Sequence, residues 1–456
     1  MILLEVAVTA PVLKSYSYLL PERLEKSGVN ISALLVGRRV QVPFGARRVT
    51  GYVLGAKTTE SPEFELKEIV EFLDDAPLFH ENIIPVLRWV AEYYHYPIGE
   101  VVKASLPGGL TVRQEKVIVL TNDGREQLTQ SHLAKDQSVP WVKTLIEKAR
   151  LSPRESREVL GKEKKIYKGL EKKGWIKISS KTIGALVKEK TEICYTLNSD
   201  ISKSSEGNNK DEAVLDSQLG KAEAKTLDLI LGFSKKTHDG EVPRRDLASL
   251  YPYSTKVLPK LEEKGIVRSF VKRVYRTPFG ELLPKYQQPL DLTQEQSAVL
   301  SEIYPVIDSK EFNVYLLNGV TGSGKTEVYL RAARRVIGQG RGVLVLVPEI
   351  ALATQVEAHF VTRFGDKVAL LHSGLSPGEK YDEWSRICNG EASIVIGARS
   401  AVFAPLKDIG LIIVDEEHDS SFKQEDRLRY NSRDVAVVRA KNCNAAILLG
   451  SATPSI

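Results

Sequence analysis

Short apolar runs recur through the last third of the chain. Residues 343–347, 394–396, 411–414 and 447–449 are rich in Val, Ile and Leu, and helical patterns separate them. Runs this short and apolar are typical of strands buried on both faces, and their alternation with helices predicts a parallel, doubly wound α/β sheet. Residues 313–317 predict another buried strand. Ligand chemistry in such sheets lies at the carboxyl ends of the strands.

The first 105 residues have a different pattern. Residues 36–45 alternate basic or polar with apolar positions and then break at Pro and Gly, and residues 50–54 can return as a hairpin partner. The first six residues suggest an opening strand, and residues 81–94 predict an amphipathic helix. We therefore assign residues 1–105 to a small β-rich domain.

The middle of the chain, residues 106–285, contains an internal repeat. Residues 170–177 and 261–268 each have the pattern of a helix end, a glycine cap and a short apolar strand. This pattern is typical of a winged-helix module, and helix starts near Ser152 and Pro243 fit both copies. Two helical hairpins that touch no nucleic acid remain an alternative. Residues 198–221, rich in Ser, Asn, Asp and Glu, predict a flexible loop.

Composition narrows the class of protein. The chain has 456 residues, with 42% hydrophobic and 27% charged residues, as in ordinary soluble multidomain proteins. It has no apolar window of the roughly 20 residues that span a bilayer, so we expect no membrane association. Its three cysteines are far apart, which argues against disulfides and a zinc site and fits a reducing compartment. We expect a cytoplasmic protein.

Charge is unevenly distributed. The formal net charge is +6, but residues 141–190 alone hold 15 Lys and Arg against 6 Asp and Glu. A local basic block is typical of a polyanion-binding surface, although a solvated helix face would have the same composition.

The strongest chemical signal is a glycine-rich segment at residues 319–326, with the spacing G-x-x-x-x-G-K-T. A predicted strand precedes it and a predicted helix follows it, which is the context that a phosphate-binding loop requires. Backbone N–H groups in such a loop can cradle phosphate oxygens, the lysine adds a point charge, and the threonine hydroxyl can ligate Mg²⁺. We predict an ATP site formed by Gly319, Thr321, Gly322, Ser323, Gly324, Lys325 and Thr326.

A second signal lies at the end of the run 411–414. Asp415 can hold Mg²⁺ beside Thr326, and Glu416 can orient or deprotonate the attacking water. His418, Ser451 and Thr453 are candidates for a relay that senses nucleotide state, although a structural histidine and a helix cap are alternatives.

A helix is predicted just before the phosphate-binding loop. Gln296 lies in its first turn, and its side-chain amide could read adenine by paired hydrogen bonds.

These motifs together resemble the superfamily 2 helicases. The segments around residues 347–352, 371–375, 396–403 and 415–424 are more specifically similar to the bacterial replication-restart helicases, the primosomal protein N′ family. At the amino terminus, residues 16–21, 40–45 and 93–100 resemble the domain of that family that binds the 3′ end of DNA. The resemblance covers both ends of the chain. For the middle of the chain, it is supported mainly by the order and the winged-helix type of the predicted modules.

The resemblance implies a RecA-like helicase lobe 1 at residues 286–456, and hence a multidomain α+β and α/β protein. It implies an ATP- and Mg²⁺-dependent 3′-to-5′ DNA helicase that recognises abandoned forks and promotes primosome assembly. Its expected partners are forked DNA with a 3′ end, single-stranded DNA, primosome proteins and single-strand-binding proteins.

The resemblance also implies DNA contacts. Tyr16 and Tyr18 fit aromatic positions that hold a terminal base, with Ser17 where the family usually has Asp. Residues 422–433 match the family's aromatic-rich loop, which links DNA binding to ATP hydrolysis. From this loop we expect Phe422 and Tyr430 to stack on bases and Lys423 to pair with phosphate. We expect Arg399 to contact the phosphate backbone.

The family's second lobe, with its arginines, and its zinc-binding cysteine cluster would lie beyond residue 456, so we expect a carboxy-terminally truncated form. Such a form should bind nucleotide weakly and DNA moderately, with little or no unwinding. Two alternatives remain open: a fork-binding module with an inactive nucleotide lobe, and another superfamily 2 translocase.

Overall fold

The computed structural model of the protein describes residues 1–24, 34–58, 66–108, 113–131, 133, 139–183, 190–198, 219–234, 240–276, 291–348 and 350–454. They form two compact units, one of residues 1–187 and 278–456 and the other of residues 188–277. The predicted domain boundaries differ from this division and stay a prediction. Most of the predicted flexible loop lies outside the described residues.

The amino-terminal segment forms a five-stranded antiparallel sheet in the order β2-β1-β4-β3-β5. The predicted opening strand, hairpin and helix are all present. Two helices follow the sheet, and Val86, Leu87 and Val90 of the first are completely buried. The elements are β1 (Ile2–Val8), β2 (Tyr16–Leu19), β3 (Arg39–Phe44), β4 (Arg47–Thr58), β5 (Glu71–Phe72), α1 (Ile84–Tyr93) and α2 (Ile98–Ser105).

The next segment opens and closes with two strands that pair antiparallel over their whole length. Its elements are β6 (Arg113–Leu120), α3 (Asn122–Gln130), α4 (Pro140–Lys148), α5 (Pro153–Lys162), α6 (Lys164–Lys172) and β7 (Ile176–Ile183). A capping box from Ser152 starts α5, at the predicted position. Gly174, with φ of 74°, gives the left-handed turn between α6 and β7.

In its described residues, the second unit has a similar order of elements, with three helices instead of four and a short additional strand after the first helix. It contains β8 (Thr191–Leu197), α7 (Lys221–Ser234), β9 (Val242–Pro243), α8 (Arg244–Leu250), α9 (Ser254–Glu263) and β10 (Val267–Arg273). Gly265, with φ of 70°, occupies the same place as Gly174. The internal repeat read from the sequence therefore corresponds to two segments with matching order: strand, helices, glycine turn and return strand.

The last segment is built on a six-stranded parallel sheet in the order β11-β16-β15-β12-β14-β13. The parallel sheet predicted from the apolar runs is confirmed, with β13 as a strand the pattern had not identified. The elements are α10 (Gln294–Ser309), β11 (Asn313–Asn318), α11 (Lys325–Gly338), β12 (Gly342–Leu346), α12 (Ile350–Phe364), β13 (Val368–Leu371), α13 (Pro377–Asn389), β14 (Ile394–Gly397), β15 (Ile409–Val414), α14 (Ser432–Asn442) and β16 (Ala446–Ser451).

The prediction that β11 is a buried strand is wrong. Val314 is 42% exposed and Leu316 55% exposed, whereas every residue of β12, β14 and β15 is buried. Among the described residues β11 is an edge strand, and only the face that carries Tyr315 and Leu317 packs into the core. The apolar composition alone did not distinguish an edge strand from a central one.

The amino-terminal segment and the parallel sheet share one core cluster, which includes Val86 and Val90 of α1 and Leu344 and Ile412 of the sheet. Hydrogen bonds also join them: Trp384 Nε1 donates to the Leu78 carbonyl at 2.6 Å. Because apolar burial and hydrogen bonds both cross this contact, the two parts pack as neighbouring layers of one unit.

Candidate functional site

The phosphate-binding loop lies between the end of β11 and the start of α11. Gly322 and Gly324 have φ of 83° and 84°, a conformation that side chains disfavour. The Lys325 amine donates to the Gly319 carbonyl at 2.7 Å and lies 3.5 Å from Glu416 Oε1. Thr326 is half-buried in the first turn of α11. The structure therefore brings the predicted lysine and one predicted acid into direct ionic contact.

Asp415 follows the last residue of β15, at the same edge of the sheet. Burial raises the pKa of its carboxyl, while a hydrogen bond from the Tyr329 hydroxyl, with an O–O distance of 3.0 Å, opposes that shift. Glu416 has φ of 47°, in the left-handed region that residues other than glycine seldom adopt. Such backbone strain is concentrated at functional sites, where it fixes the direction of a side chain.

Tyr329 and Gly450 complete the surroundings of Asp415. The Tyr329 side chain is fully buried. A Cβ added at Gly450 would lie 1.6 Å from the Tyr329 hydroxyl oxygen and 3.5 Å from Asp415 Oδ1. Glycine is therefore required in β16 at this position, because the tyrosine hydroxyl occupies the space that a side chain would fill. The motif search missed both residues, although Tyr329 lies four positions after Lys325 and so on the same helix face.

His418 connects the acidic segment to the end of β16. Its Nδ1 lies 2.7 Å from Ser451 Oγ, and its Nε2 lies 3.2 Å from Thr453 Oγ1. Glu416 Oε2 accepts a hydrogen bond from the Ala452 N–H at 3.2 Å. The three residues predicted to form a relay thus lie within hydrogen-bond distance of one another, and their coupling role stays a prediction.

Gln296 contacts the phosphate-binding loop directly. Its Oε1 accepts from the Thr293 N–H at 3.0 Å, which caps α10, and its Nε2 donates to the Ser323 carbonyl at 3.2 Å. Both ends of the amide therefore have protein partners, and the predicted adenine contact is not tested by this geometry.

The aromatic-rich loop, residues 422–433, forms a closed hairpin. Lys423 pairs with Asn431, and the Gln424 N–H donates to the Tyr430 carbonyl at 2.8 Å. Arg399 Nη1 donates to the carbonyls of Ser421 at 3.2 Å and Lys423 at 2.8 Å. In this conformation Arg399 fixes the base of the loop, and its predicted contact with DNA phosphate stays a prediction.

The two rings expected to stack on bases are inside the protein. Phe422 is 1% exposed and Tyr430 is 8% exposed, with the Tyr430 ring packed on Phe403 at 5.3 Å between centroids. As the loop stands, neither ring offers an open face to a base. Its exposed side chains are polar or charged: Lys423, Glu425, Asp426, Arg427 and Arg429.

The aromatic pair of the amino-terminal sheet divides between surface and core. Tyr16 is 38% exposed and packs edge-on against Phe44, with centroids 5.3 Å apart. Tyr18 is 4% exposed, and its hydroxyl donates to the Pro43 carbonyl at 3.1 Å. Of the two, Tyr16 has the ring available to a terminal base.

The donor set suits a magnesium-bound nucleotide. The half-buried Asp415 carboxyl has a raised pKa, and a bound cation would offset the cost of ionising it there. Lys325 and the loop N–H groups suit phosphate oxygens. Within the described residues no group of three or more His, Cys, Asp or Glu forms a metal cluster.

Among the described residues, no helix is long and apolar enough to cross a bilayer.

Comparison with known proteins gives two family matches. Residues 5–107 match the PriA-type 3′DNA-binding domain, and residues 293–456 match the DEAD/DEAH box helicase domain. The second match includes the phosphate-binding loop, Asp415 and His418, and the first includes Tyr16 and Tyr18.

Curated relatives align over almost the whole chain. The chain is 34% identical to the replication restart protein PriA of Bacillus subtilis over 97% of its length and 52% of the relative's. It is 34% identical to PriA of Synechocystis over 97% of its length and 50% of the relative's. PriA of Haemophilus influenzae is 31% identical over 100% of this chain and 49% of its own length.

The chain thus spans about half the length of these relatives. Residues 5–107 are thus similar to the PriA-type 3′DNA-binding domain and residues 293–456 to the DEAD/DEAH box helicase domain, and nearly the whole chain is similar to about half of the replication restart proteins PriA.

Proposed function

We propose that this chain is the fork-recognition and nucleotide-binding part of an ATP-dependent 3′-to-5′ DNA helicase of replication restart. The observation that carries the proposal is the contact of Lys325 with Glu416 beside Asp415, in a unit that also contains the 3′DNA-binding domain. In this proposal residues 286–456 are a RecA-like lobe 1, and the two repeated middle segments are winged-helix modules. Forked and single-stranded DNA are the proposed substrates, and primosome and single-strand-binding proteins the proposed partners.

Each residue of the site has a proposed task. Lys325 and the loop N–H groups bind the phosphates, and Thr326 and Asp415 hold Mg²⁺, which neutralises phosphate charge when bound. Glu416 orients the attacking water and accepts its proton. Tyr329 keeps the Asp415 carboxylate in place through its hydrogen bond. His418 links these acids to Ser451 and Thr453, so that a shift at either segment reaches the other.

Binding to matched synthetic forks tests this proposal. We expect the chain to bind a fork with a free leading-strand 3′ end about 5- to 150-fold more tightly than the same fork with that end blocked, the range that stacking of one base supplies. A magnesium-dependent fluorescent ATP analogue should bind the same preparation. Equal affinity for the free and blocked ends would contradict fork-end recognition, and fork binding without nucleotide binding would favour a DNA-binding module with an inactive nucleotide lobe.

Tyr16 should carry much of the preference for the free end. Tyr16→Ala is expected to weaken binding to the fork with a free 3′ end by about 1 to 3 kcal/mol, because it removes the exposed ring. Tyr18→Phe is the matched control, since it keeps the buried ring and removes only the hydroxyl, and it should change affinity less than twofold. Fluorescence anisotropy measures both. Equal loss in the two variants would show that Tyr16 has no special contact with the end.

A further inference from the structure

A hydrogen bond connects the amino-terminal domain to the aromatic-rich loop. The Asn431 N–H donates to the Tyr94 hydroxyl oxygen at 3.1 Å. Tyr94 directly follows α1, is half-buried, and packs against Tyr93 and Trp89 with ring centroids 4.9 and 6.1 Å away. Because its ring is held by these neighbours, the hydroxyl is a fixed acceptor for the loop backbone.

Asn431 lies near the end of the aromatic-rich loop and directly precedes α14. It pairs with Lys423 across the hairpin, so its position depends on whether the loop is closed. Its side-chain oxygen also accepts from the Arg433 N–H at 3.1 Å, which caps the helix. A displacement of Asn431 would therefore move both the loop and the first turn of α14.

The first turn of α14 reaches the nucleotide site through an ion pair. Arg433 Nη1 donates to Glu417 Oε2 at 2.8 Å. Glu417 is 4% exposed, lies between Glu416 and His418, and donates its N–H to the Gly450 carbonyl at 2.9 Å. A buried carboxylate cannot move away from its cation without a large desolvation cost. The position of Arg433 therefore constrains the acidic segment.

We infer that Tyr94 and Arg433 are positioning residues that couple DNA binding by the amino-terminal domain and loop to nucleotide binding at the acidic segment. The inference rests on the proposed function, since it needs both ligands. Neither residue belongs to the proposed phosphate site; each acts by fixing a neighbour, Tyr94 through Asn431 and Arg433 through Glu417. Such coupling is reciprocal: DNA changes nucleotide affinity by the same factor by which nucleotide changes DNA affinity.

The test measures that factor in the 456-residue chain. The affinity of a fluorescent ATP analogue with Mg²⁺ is determined with and without a saturating fork that has a free 3′ end. The coupling ratio is the larger of these two affinities divided by the smaller. In the unmodified chain this ratio should be between about 5 and 150, the usual range of coupling between sites. Tyr94→Phe removes only the acceptor hydroxyl and should bring the ratio to below twofold. Tyr93→Phe, which removes only the hydroxyl of the exposed neighbouring tyrosine, should keep the original ratio.

A second pair of variants controls for a folding defect. In Arg433→Gln the ratio should fall to near one, and Arg433→Lys, which keeps the charge, should restore part of the coupling. Thermal unfolding checks that each variant folds. Failure of the unmodified chain to bind both ligands would overturn the proposed function. Binding of both with a ratio near one, or a ratio in Tyr94→Phe equal to that in Tyr93→Phe, would overturn this inference alone.

Discussion

Lys325→Ala should weaken magnesium-dependent nucleotide binding by about 30- to 1,000-fold, equivalent to about 2 to 4 kcal/mol. The Lys325 side chain is only 9% exposed, and its amine is the cation that lies between the loop carbonyl of Gly319 and the Glu416 carboxylate. Its loss would remove the charge offered to phosphate and leave Glu416 without this partner. Titration of a fluorescent ATP analogue in the presence of Mg²⁺ measures the effect.

Arg334→Ala is the matched control for Lys325→Ala, because Arg334 lies on the same helix with an exposed side chain. It should leave nucleotide affinity within twofold of the unmodified chain. Binding to a DNA fork without nucleotide should survive in both variants, since neither residue belongs to the amino-terminal domain. Nucleotide affinity of Lys325→Ala within threefold of the unmodified chain would mean that the loop does not bind phosphate as proposed.

The approach of the glycine-rich loop to the acidic segment could be predicted from the sequence, because sheet topology determines it; the role of this pair as a nucleotide site stays a proposal. In a parallel sheet all carboxyl ends lie at one edge, so a phosphate-binding loop after β11 and acids after β15 must approach each other if their strands are near neighbours. Only β16 separates the two strands. The contact of Lys325 with Glu416 follows from this order, together with the turn that directs each side chain inward.

Whether the two aromatic rings of the loop are buried or exposed could not be predicted in the same way. Phe422 and Tyr430 stand among basic residues, a pattern that serves base stacking and core packing equally well. Burial of Tyr430 depends on Phe403, which precedes it by 27 positions and comes from the segment after β14. The exposed Val314 and Leu316 of β11 show the reverse case, in which an apolar run lies at an edge. In both cases, burial is determined by residues that are distant in sequence and close in the fold.

Gly450→Ala should destabilise the helicase domain by at least about 1 to 3 kcal/mol, the usual cost of overpacking. The new methyl carbon would lie 1.6 Å from the Tyr329 hydroxyl oxygen and 2.9 Å from its Cζ, so the ring or β16 must move. Either movement would break the hydrogen bond from Tyr329 to Asp415 and displace the carboxylate that is proposed to hold Mg²⁺. Both thermal stability and magnesium-dependent nucleotide affinity should therefore fall together.

Tyr329→Phe separates two causes of the expected loss of stability in Gly450→Ala: the steric clash with the tyrosine hydroxyl and the loss of its hydrogen bond to Asp415. Alone, it leaves the half-buried Asp415 without this donor and should cost about 1 to 3 kcal/mol. Combined with Gly450→Ala, it removes the nearest clashing atom, so the double variant should be more stable than the sum of the single losses allows. Gly338→Ala, at a helix position where an added Cβ has nothing within 4 Å, should be neutral or slightly stabilising. Additive losses in the double variant, or full stability of Gly450→Ala, would mean that the hydroxyl does not occupy this space, and the proposed support of the magnesium carboxylate by Tyr329 would fail with it.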